Sequence, residues 1–141
     1  MTERKGYRGY ITSRPFMGER APQHIQNLVI RDYAKRHGLD YLLSATEYAM
    51  QGSALMLRHV LDELPKLEGI ICYSIFQLPE DAAVRAEAYR RVIEAGAELH
   101  AAVEGLVVRN TADAAAIEDI WRVRQVLARC AGADSVAAAA S

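Results

Sequence analysis

Short runs of β-branched and aromatic residues alternate with longer runs whose apolar positions recur at helical spacing, and this alternation constrains the fold most. It predicts four strands, each followed by a helix. The strands are predicted at residues 7–12, 39–45, 69–74 and 99–103, and the helices at 22–37, 53–64, 79–95 and 113–129. The connections are too long for hairpins, so the strands should be parallel. We therefore predict a small doubly wound α/β domain, Rossmann-like or flavodoxin-like, with a mostly parallel four-stranded sheet and helices on both faces.

Length and charge narrow the class of protein. The 141 residues suit one domain, which we expect to span residues 1–130, with a disordered alanine-rich tail at 131–141. The 17 Lys and Arg residues against 18 Asp and Glu give a formal charge of -1, which does not favour nucleic acid or a membrane surface as a partner. No apolar run approaches the roughly 18 residues of a membrane span. Cys72 and Cys130 need not form a disulfide, and a cytoplasmic location is expected.

Polar residues follow all four predicted strands. Ligands of doubly wound sheets bind beyond the carboxyl ends of the strands, so these residues should meet at one edge. Glu47 and Glu104 are candidates for an acid and a base, or for hydroxyl ligands, provided that burial separates their pKa values. A structural alternative stays open for Glu104, because a carboxylate before Gly105 can also accept hydrogen bonds from backbone donors at a turn.

Other residues at this edge suit an anionic sugar. Arg14 and Arg20 lie in the loop after the first strand, and a guanidinium binds phosphate or carboxylate through two hydrogen bonds. The start of the first helix also favours an anion. Aromatic rings and neutral hydrogen-bonding groups suit a sugar ring. The further candidates for substrate binding are His24, Asn27, Tyr48, Tyr73, Ser74 and Gln77. The structural alternative is that Arg14 and Arg20 are solvated loop residues and that His24 is a surface residue.

Several motifs are absent from the sequence. It has no Walker loop, no Gly-x-Gly-x-x-Gly, no Gly-x-Ser-x-Gly and no Cys/His spacing typical of zinc sites. Nucleotide hydrolysis and dinucleotide redox chemistry are therefore not expected, and neither a cofactor nor a metal is predicted.

Two segments and the order of elements resemble the catalytic domain of serine recombinases. These segments are GYITS at residues 9–13 and ICYSIFQL at 71–78. The resemblance implies the same fold and makes Ser13 the counterpart of the serine that attacks DNA phosphate. The arginines of the family pattern are missing: Phe76, Gln77 and Glu80 stand where the family has an Asp-Arg pair and a further Arg. The resemblance therefore argues against recombination, because an unsupported serine cannot stabilise the charge of the transition state.

A second resemblance is to the sporadic carbohydrate cluster proteins, a small bacterial family. It rests on GYRGYITSRPF at residues 6–16, PQHIQN at 22–27, ATEY at 45–48, YSIFQLP at 73–79 and EDIW at 118–121. It implies a role in making a cell-surface glycan, and it implies no particular reaction.

Three functions remain open on the sequence. The first is an isomerase, epimerase or lyase acting on a sugar, sugar phosphate or sugar nucleotide, with a carbohydrate ligand at the strand ends. The second is a non-catalytic accessory subunit that binds a glycan-biosynthesis enzyme, with the helix around Trp121 as its docking face. The third is a degenerate recombinase-like domain without recombinase activity. A homo-oligomer also stays open, because a pocket on so small a domain is shallow and a neighbouring copy could cover it.

Overall fold

The computed structural model describes residues 5–13, 21–47 and 54–140, with side chains up to Cys130. The elements are β1 (Tyr7–Thr12), α1 (Gln23–Arg36), β2 (Tyr41–Glu47), α2 (Leu55–Asp62), β3 (Gly69–Cys72), α3 (Ala82–Glu94), β4 (Glu98–Ala101), β5 (Leu106–Val108) and α4 (Thr111–Ala140). Two short 3-10 turns, Leu64–Lys66 and Ile75–Gln77, flank β3.

The sheet has the strand order β2-β1-β3-β4-β5. The four strands from β1 to β4 are parallel, and β5 pairs antiparallel with β4. The strand order reverses between β1 and β3, the position where doubly wound sheets bind ligands. The predicted doubly wound α/β fold is confirmed, with a fifth strand in addition to the four predicted.

Helices cover both faces of the sheet. On one face α1 packs Ile30, Tyr33 and Ala34 against a smaller apolar cluster that includes Ile11 and Ile71. On the other face α2, α3 and α4 bury a larger cluster against the sheet. Alternate residues of each strand therefore contribute to different cores, as the pleat requires. Gly69 allows β3 to approach β4, because a Cβ there would lie 2.2 Å from the carbonyl oxygen of Glu98.

Most element boundaries differ from the sequence predictions by one to three residues, and the differences in β2, α2 and α4 matter most for the site and for the end of the domain. β2 lies two residues later than predicted, so Glu47 is its last residue and not a loop residue. α2 begins at Leu55. A serine directly before an apolar helical run favours an N-cap at Ser53, and this residue lies outside the described residues. α4 continues past Arg129, because alanine has the highest helix propensity of all residues. The domain boundary at residue 130 and the disordered tail stay predictions, since no side chain beyond Cys130 is described.

No helix within the described ranges combines the length and the apolar character that crossing a bilayer requires.

Candidate functional site

The carboxyl ends of β1, β2 and β3 and the turn after β4 bring a set of polar side chains into hydrogen-bonding networks. Six of them take part in the contacts described below: Ser13, Gln26, Glu47, Ser74, Gln77 and Glu104. Five of these six were predicted from the sequence. Gln26 was not predicted as a site residue.

Glu47 closes the start of α2 from the end of β2. Its side chain is buried, with 1% of its surface exposed. One carboxylate oxygen accepts hydrogen bonds from the Tyr10 hydroxyl and the backbone N–H of Leu57, both at 3.1 Å. The other oxygen accepts from the N–H of Met56 at 3.3 Å. Since no side chain of α2 itself caps this helix, the carboxylate satisfies donors that would otherwise be unpaired and opposes the helix dipole.

A pair of buried glutamines joins α1 to the end of β1. Gln26 donates from Nε2 to the carbonyl oxygens of Thr12, at 2.8 Å, and Ala21, at 2.7 Å. Its Oε1 accepts from the backbone N–H of Thr12 at 3.1 Å and from Nε2 of Gln77 at 2.6 Å. The amide of Gln26 thus replaces a missing strand partner for Thr12 and holds the start of α1 beside the end of β1.

Glu104 holds the turn after β3. One oxygen accepts the Ser74 hydroxyl at 2.7 Å, and the other accepts the backbone N–H of Ile75 at 2.9 Å. Ser74 is buried and its hydroxyl oxygen also accepts from the N–H of Phe76 at 3.1 Å. Glu104 therefore accepts a hydrogen bond from a backbone donor at a turn, as its structural alternative proposes. An acid or base role for this residue stays a prediction.

Ser13 is half-buried directly after β1. Its backbone N–H donates to the carbonyl oxygen of Glu47 at 2.9 Å, and its hydroxyl donates to the same oxygen at 3.4 Å. The second bond is long for an O–H donor, so the hydroxyl is held weakly.

The remaining predicted ligands are more scattered. His24 is exposed on the first turn of α1. Asn27 is half-buried and accepts from the Tyr41 hydroxyl at 3.4 Å. Tyr73 packs against the smaller apolar cluster on the α1 face. Arg14, Arg20 and Tyr48 lie outside the described residues, so the structure places neither of the two predicted anion-binding arginines.

A buried cation lies between α3 and α4. Arg85 donates to both oxygens of Glu118, at 2.9 and 2.8 Å, and to the carbonyl oxygens of Pro79 and Glu80. Its guanidinium carbon lies 4.0 Å from the centre of the Trp121 ring. Burial alone would raise the pKa of Glu118, but the hydrogen bonds from Arg85 and Tyr89 lower it. This ion pair fastens α4 to the domain.

A second polar cluster lies beneath α1, around His100 of β4. The His100 Nε2 lies 3.0 Å from Oε1 of Glu98, and its Nδ1 lies 2.7 Å from the Tyr33 hydroxyl. Glu98 also accepts from the Tyr7 hydroxyl and from Arg109. Burial lowers the pKa of His100. Burial opposes ionisation of Glu98, but the hydrogen bonds from Arg109, His100 and Tyr7 prevail and lower its pKa to about 2.

The residues that sequence reasoning missed share one property: their partners are distant in sequence. Gln26 and Gln77 are 51 residues apart, and Arg85 and Glu118 are 33 apart. A lone glutamine at the start of a helix or a lone arginine near its beginning carries no local signal of such a partner. Among the described residues, no group of three or more His, Cys, Asp or Glu side chains is arranged to hold a metal ion.

Several solved structures share this fold, among them an integrase domain and a recombinase. The N-terminal catalytic domain of TP901-1 integrase matches with a TM-score of 0.57 and 11% identity, over 86% of this chain and 96% of that chain. A resolvase family site-specific recombinase from Streptococcus pneumoniae matches with a TM-score of 0.59 and 9% identity, over 95% and 98% of the two chains. At these identities the likeness shows the fold alone.

No family model and no curated protein matches the chain. The two structural matches confirm the resemblance to the serine recombinase catalytic domain at the level of fold. The resemblance to the sporadic carbohydrate cluster proteins has no support from any of these comparisons.

Proposed function

We propose that this chain is a serine-recombinase-like domain that does not cleave or rejoin DNA. The observation that carries the proposal is the chemistry around Ser13. Within the described ranges, Ser13, Gln26 and Ser74 bond to backbone groups, an amide and a carboxylate, and to no arginine or lysine. Transfer of DNA phosphate to a serine concentrates negative charge in the transition state, which cationic groups must stabilise.

The segment after β3 supports the same proposal. The recombinase pattern has an Asp-Arg pair there, where this chain has Phe76 and Gln77. Phe76 packs edge-on against Trp121 at 5.3 Å between ring centres, and Gln77 is buried against Gln26. These two positions contribute packing and a neutral hydrogen bond to the domain. A cation placed there would have to displace core contacts.

The carboxylates support it further. Glu47 lies at the end of β2 and Glu104 in the turn after β4, and both oxygens of each accept hydrogen bonds from protein donors. A carboxylate at the end of the strand beside Ser13, as Glu47 is, makes the surroundings of this serine less favourable for a phosphate diester.

The test is DNA cleavage and DNA binding by the full chain. We expect no relaxed or nicked product from supercoiled plasmid, and no DNA covalently linked to the protein after denaturation. A Ser13→Ala variant serves as the matched control. A covalent adduct that forms with the wild type and is absent from Ser13→Ala would overturn the proposal. Binding of random duplex DNA at low salt, lost as salt rises, would also count against it, because such binding needs a cationic surface.

A second candidate function is binding of a small anionic carbohydrate at the same edge. One observation favours it: Pro22 at the N-cap position of α1 provides no side-chain cap, and Gln26 holds this end of the helix beside Thr12 at the end of β1. Uncapped N–H groups at the start of a helix attract anions. Arg14 directly follows Ser13 in the sequence, and Asn27 and Tyr73 are only half-buried. Whether Ser13, Glu47 or Glu104 would then catalyse a reaction stays a prediction.

A thermal-shift screen tests this second function. The probes are sugar phosphates, nucleotide sugars, sugar acids and inorganic phosphate. A ligand that binds only the folded state raises the melting temperature with its concentration. We expect a selective rise with one class, lost in Arg14→Ala and kept in Arg36→Ala, an exposed arginine at the other end of α1. A rise with inorganic phosphate alone, or one unaffected by Arg14→Ala, would contradict it.

A further inference from the structure

A groove with a volume of about 300 Å³ lies between α2 and α3. Its apolar lining consists of Ala54, Leu57, Leu61, Ala83 and Val84. Leu57 and Leu61 of α2 are buried and form the base of the groove. The short side chains of Ala83 and Val84 on α3 leave the space between the two helices open. A cavity of this size is at the lower end of the range for small-molecule sites.

The charged lining of the groove has one unpaired cation. Three charged side chains line it: Arg58, Glu87 and Arg91. Glu87 accepts hydrogen bonds from Arg90, and Arg91 donates to Asp62 at 2.7 Å, which bridges α3 to the end of α2. Arg58 is exposed and has no ion-pair or hydrogen-bond partner for its side chain within the part of the chain that the structure describes. The charge that stays unneutralised at the groove is therefore positive.

The chemistry of the lining selects the kind of ligand. Among the described residues, the groove is lined by no aromatic ring and by no Ser, Thr, Asn or Gln side chain. A sugar or a nucleobase needs such partners for its polar groups, whereas an aliphatic chain is stabilised by contact with Leu, Val and Ala.

The single unpaired arginine selects the charge of the ligand. A carboxylate carries one negative charge and accepts two parallel hydrogen bonds from a guanidinium. A phosphate monoester carries nearly two charges at neutral pH, more than Arg58 alone neutralises.

The dimensions of the groove set the length of the chain. Its lining runs from Ala54 to Leu61 along α2 and from Ala83 to Arg91 along α3. At about 1.5 Å per residue, these segments are roughly 10–12 Å long. An extended carbon chain advances about 1.2 Å per bond, so about eight to ten carbons span this length. The volume agrees, because it holds about ten groups of the size of a water molecule, which occupies ~30 Å³ in the liquid.

We propose that this groove binds an aliphatic carboxylate of about eight to ten carbons. The chain packs on Leu57, Leu61 and Val84, and the carboxylate pairs with Arg58. This binding site is distinct from the strand ends, and binding there requires neither Ser13 nor a ligand at the strand ends. Leu57 joins the two regions, because its side chain lines the groove and its backbone N–H donates to Glu47 at 3.1 Å.

Isothermal titration calorimetry of the full chain with sodium decanoate, below its critical micelle concentration, tests the proposal. We expect saturable binding of one decanoate per chain. From hexanoate to decanoate the affinity should rise about threefold per methylene, because each buried methylene adds to the hydrophobic stabilisation. Decyltrimethylammonium has the same chain with a positive charge and should bind at least about tenfold more weakly. Absence of saturable decanoate binding, or equal affinity for the two charges, would overturn the proposal.

Two variants, each with a matched control, assign the binding to the groove. Ala83→Leu fills the groove and should abolish decanoate binding, whereas Ala86→Leu, at another exposed position of α3, should not change it. Arg58→Gln should weaken binding by about tenfold or more, because it removes a charged hydrogen-bond donor. Arg129→Gln, which changes an exposed arginine of α4, should have no effect. Circular dichroism verifies that each variant is folded. Unchanged affinity in folded Ala83→Leu, or in Arg58→Gln, would contradict the assigned site.

Backbone amide chemical shifts locate the ligand without a substitution. In a titration of the ¹⁵N-labelled wild type with decanoate, the amides of Leu57, Leu61 and Val84 should shift and saturate with the dissociation constant that calorimetry gives. The amide of Ile30, on the opposite face of the sheet, should stay in place. Shifts confined to α1, or spread equally over both faces of the sheet, would overturn the proposal.

Discussion

At the scale of single residues, Glu47 has the contacts of a helix cap. Its oxygens accept two backbone N–H groups of α2 and the Tyr10 hydroxyl in a buried site. Glu47→Gln keeps the shape but removes the charge and turns an amide NH2 toward backbone donors. We expect the free energy of unfolding to fall by about 2 kcal/mol, because buried hydrogen bonds to a charged group contribute roughly 1.5–3 kcal/mol. Urea denaturation at neutral pH measures this change.

The control for this variant is Glu87→Gln on the exposed face of α3, where Glu87 pairs with neighbouring Arg90. We expect that change to leave the free energy of unfolding almost unchanged, because solvent screens an exposed ion pair. An unaltered stability in Glu47→Gln would show that the carboxylate does not support α2. That outcome would favour the acid or base role predicted for Glu47 from the sequence. In that case Glu47→Gln should abolish turnover and leave the stability unchanged.

At the scale of elements, the Arg85–Glu118 pair fastens α4 to α3. Arg85 is 3% exposed at its side chain, whereas Glu118 is 27% exposed. Glu118→Gln leaves a buried guanidinium without its countercharge, and we expect a loss of about 3 kcal/mol. Arg85→Met should cost less, because Glu118 can be hydrated and the methionine still packs on Trp121.

A double-mutant cycle measured by urea denaturation checks this prediction. The loss in the Arg85→Met, Glu118→Gln double variant should be smaller than the sum of the single losses, by about 1 kcal/mol or more. Additive losses would mean that the two side chains stabilise the domain independently and not as an ion pair.

The elements with strong local signals are those that the sequence predicts well. β1 has its predicted bounds, and Asp81 caps α3 by accepting from the N–H of Ala83, as its acidic start indicates. β5 has only three residues and no alternation of polar and apolar side chains, so its periodicity is invisible. The local sequence of α2 favours a cap at Ser53, directly before the helix. The cap that the structure describes comes from Glu47, at the end of β2.

The same distinction applies to the candidate site. The general rule for doubly wound sheets points to the strand ends and predicts Glu47, Ser74, Gln77 and Glu104 as site residues, whereas Ser13 follows from the resemblance to serine recombinases. Some of these residues make structural hydrogen bonds, and their partners are 30 or more residues away in sequence. Ser13 bonds to Glu47, and Ser74 bonds to Glu104. One sequence contains no record of such pairings, because any polar residue at a strand end satisfies the same local pattern.

At the scale of the whole molecule, the cluster around His100 couples stability to pH. Glu98, with a pKa of about 2, accepts from His100 Nε2, so neutral His100 presents a bare Nδ1 to the Tyr33 hydroxyl. A second proton on His100 removes that acceptor from a buried site that links β4 to α1. His37 and Arg109 also lie near enough to disfavour the positive charge.

The sign of the pH dependence follows from the lowered pKa of His100. The unfolded chain binds a proton near the ordinary pKa of 6.5, and the folded chain does so only at lower pH. The free energy of unfolding should therefore fall as pH drops below about 6.5, until His100 is also protonated in the folded state. Glu98 adds a second loss between its ordinary pKa of 4.5 and about 2, because its charged form is favoured in the folded state.

Urea denaturation at about pH 7, 6 and 5, continued to about pH 4 and 3, separates the two groups. In His100→Gln the decline between pH 7 and 5 should flatten, while the decline at lower pH that depends on Glu98 remains. His59→Gln is the control, because His59 is exposed on α2 and should leave the slope unchanged. An equal slope in wild type and His100→Gln would mean that the acid loss arises elsewhere. If the free energy of unfolding of His100→Gln no longer changes between pH 7 and 5, the first step of acid destabilisation arises at the contact between Tyr33 of α1 and His100 of β4. This contact lies on the sheet face opposite α4.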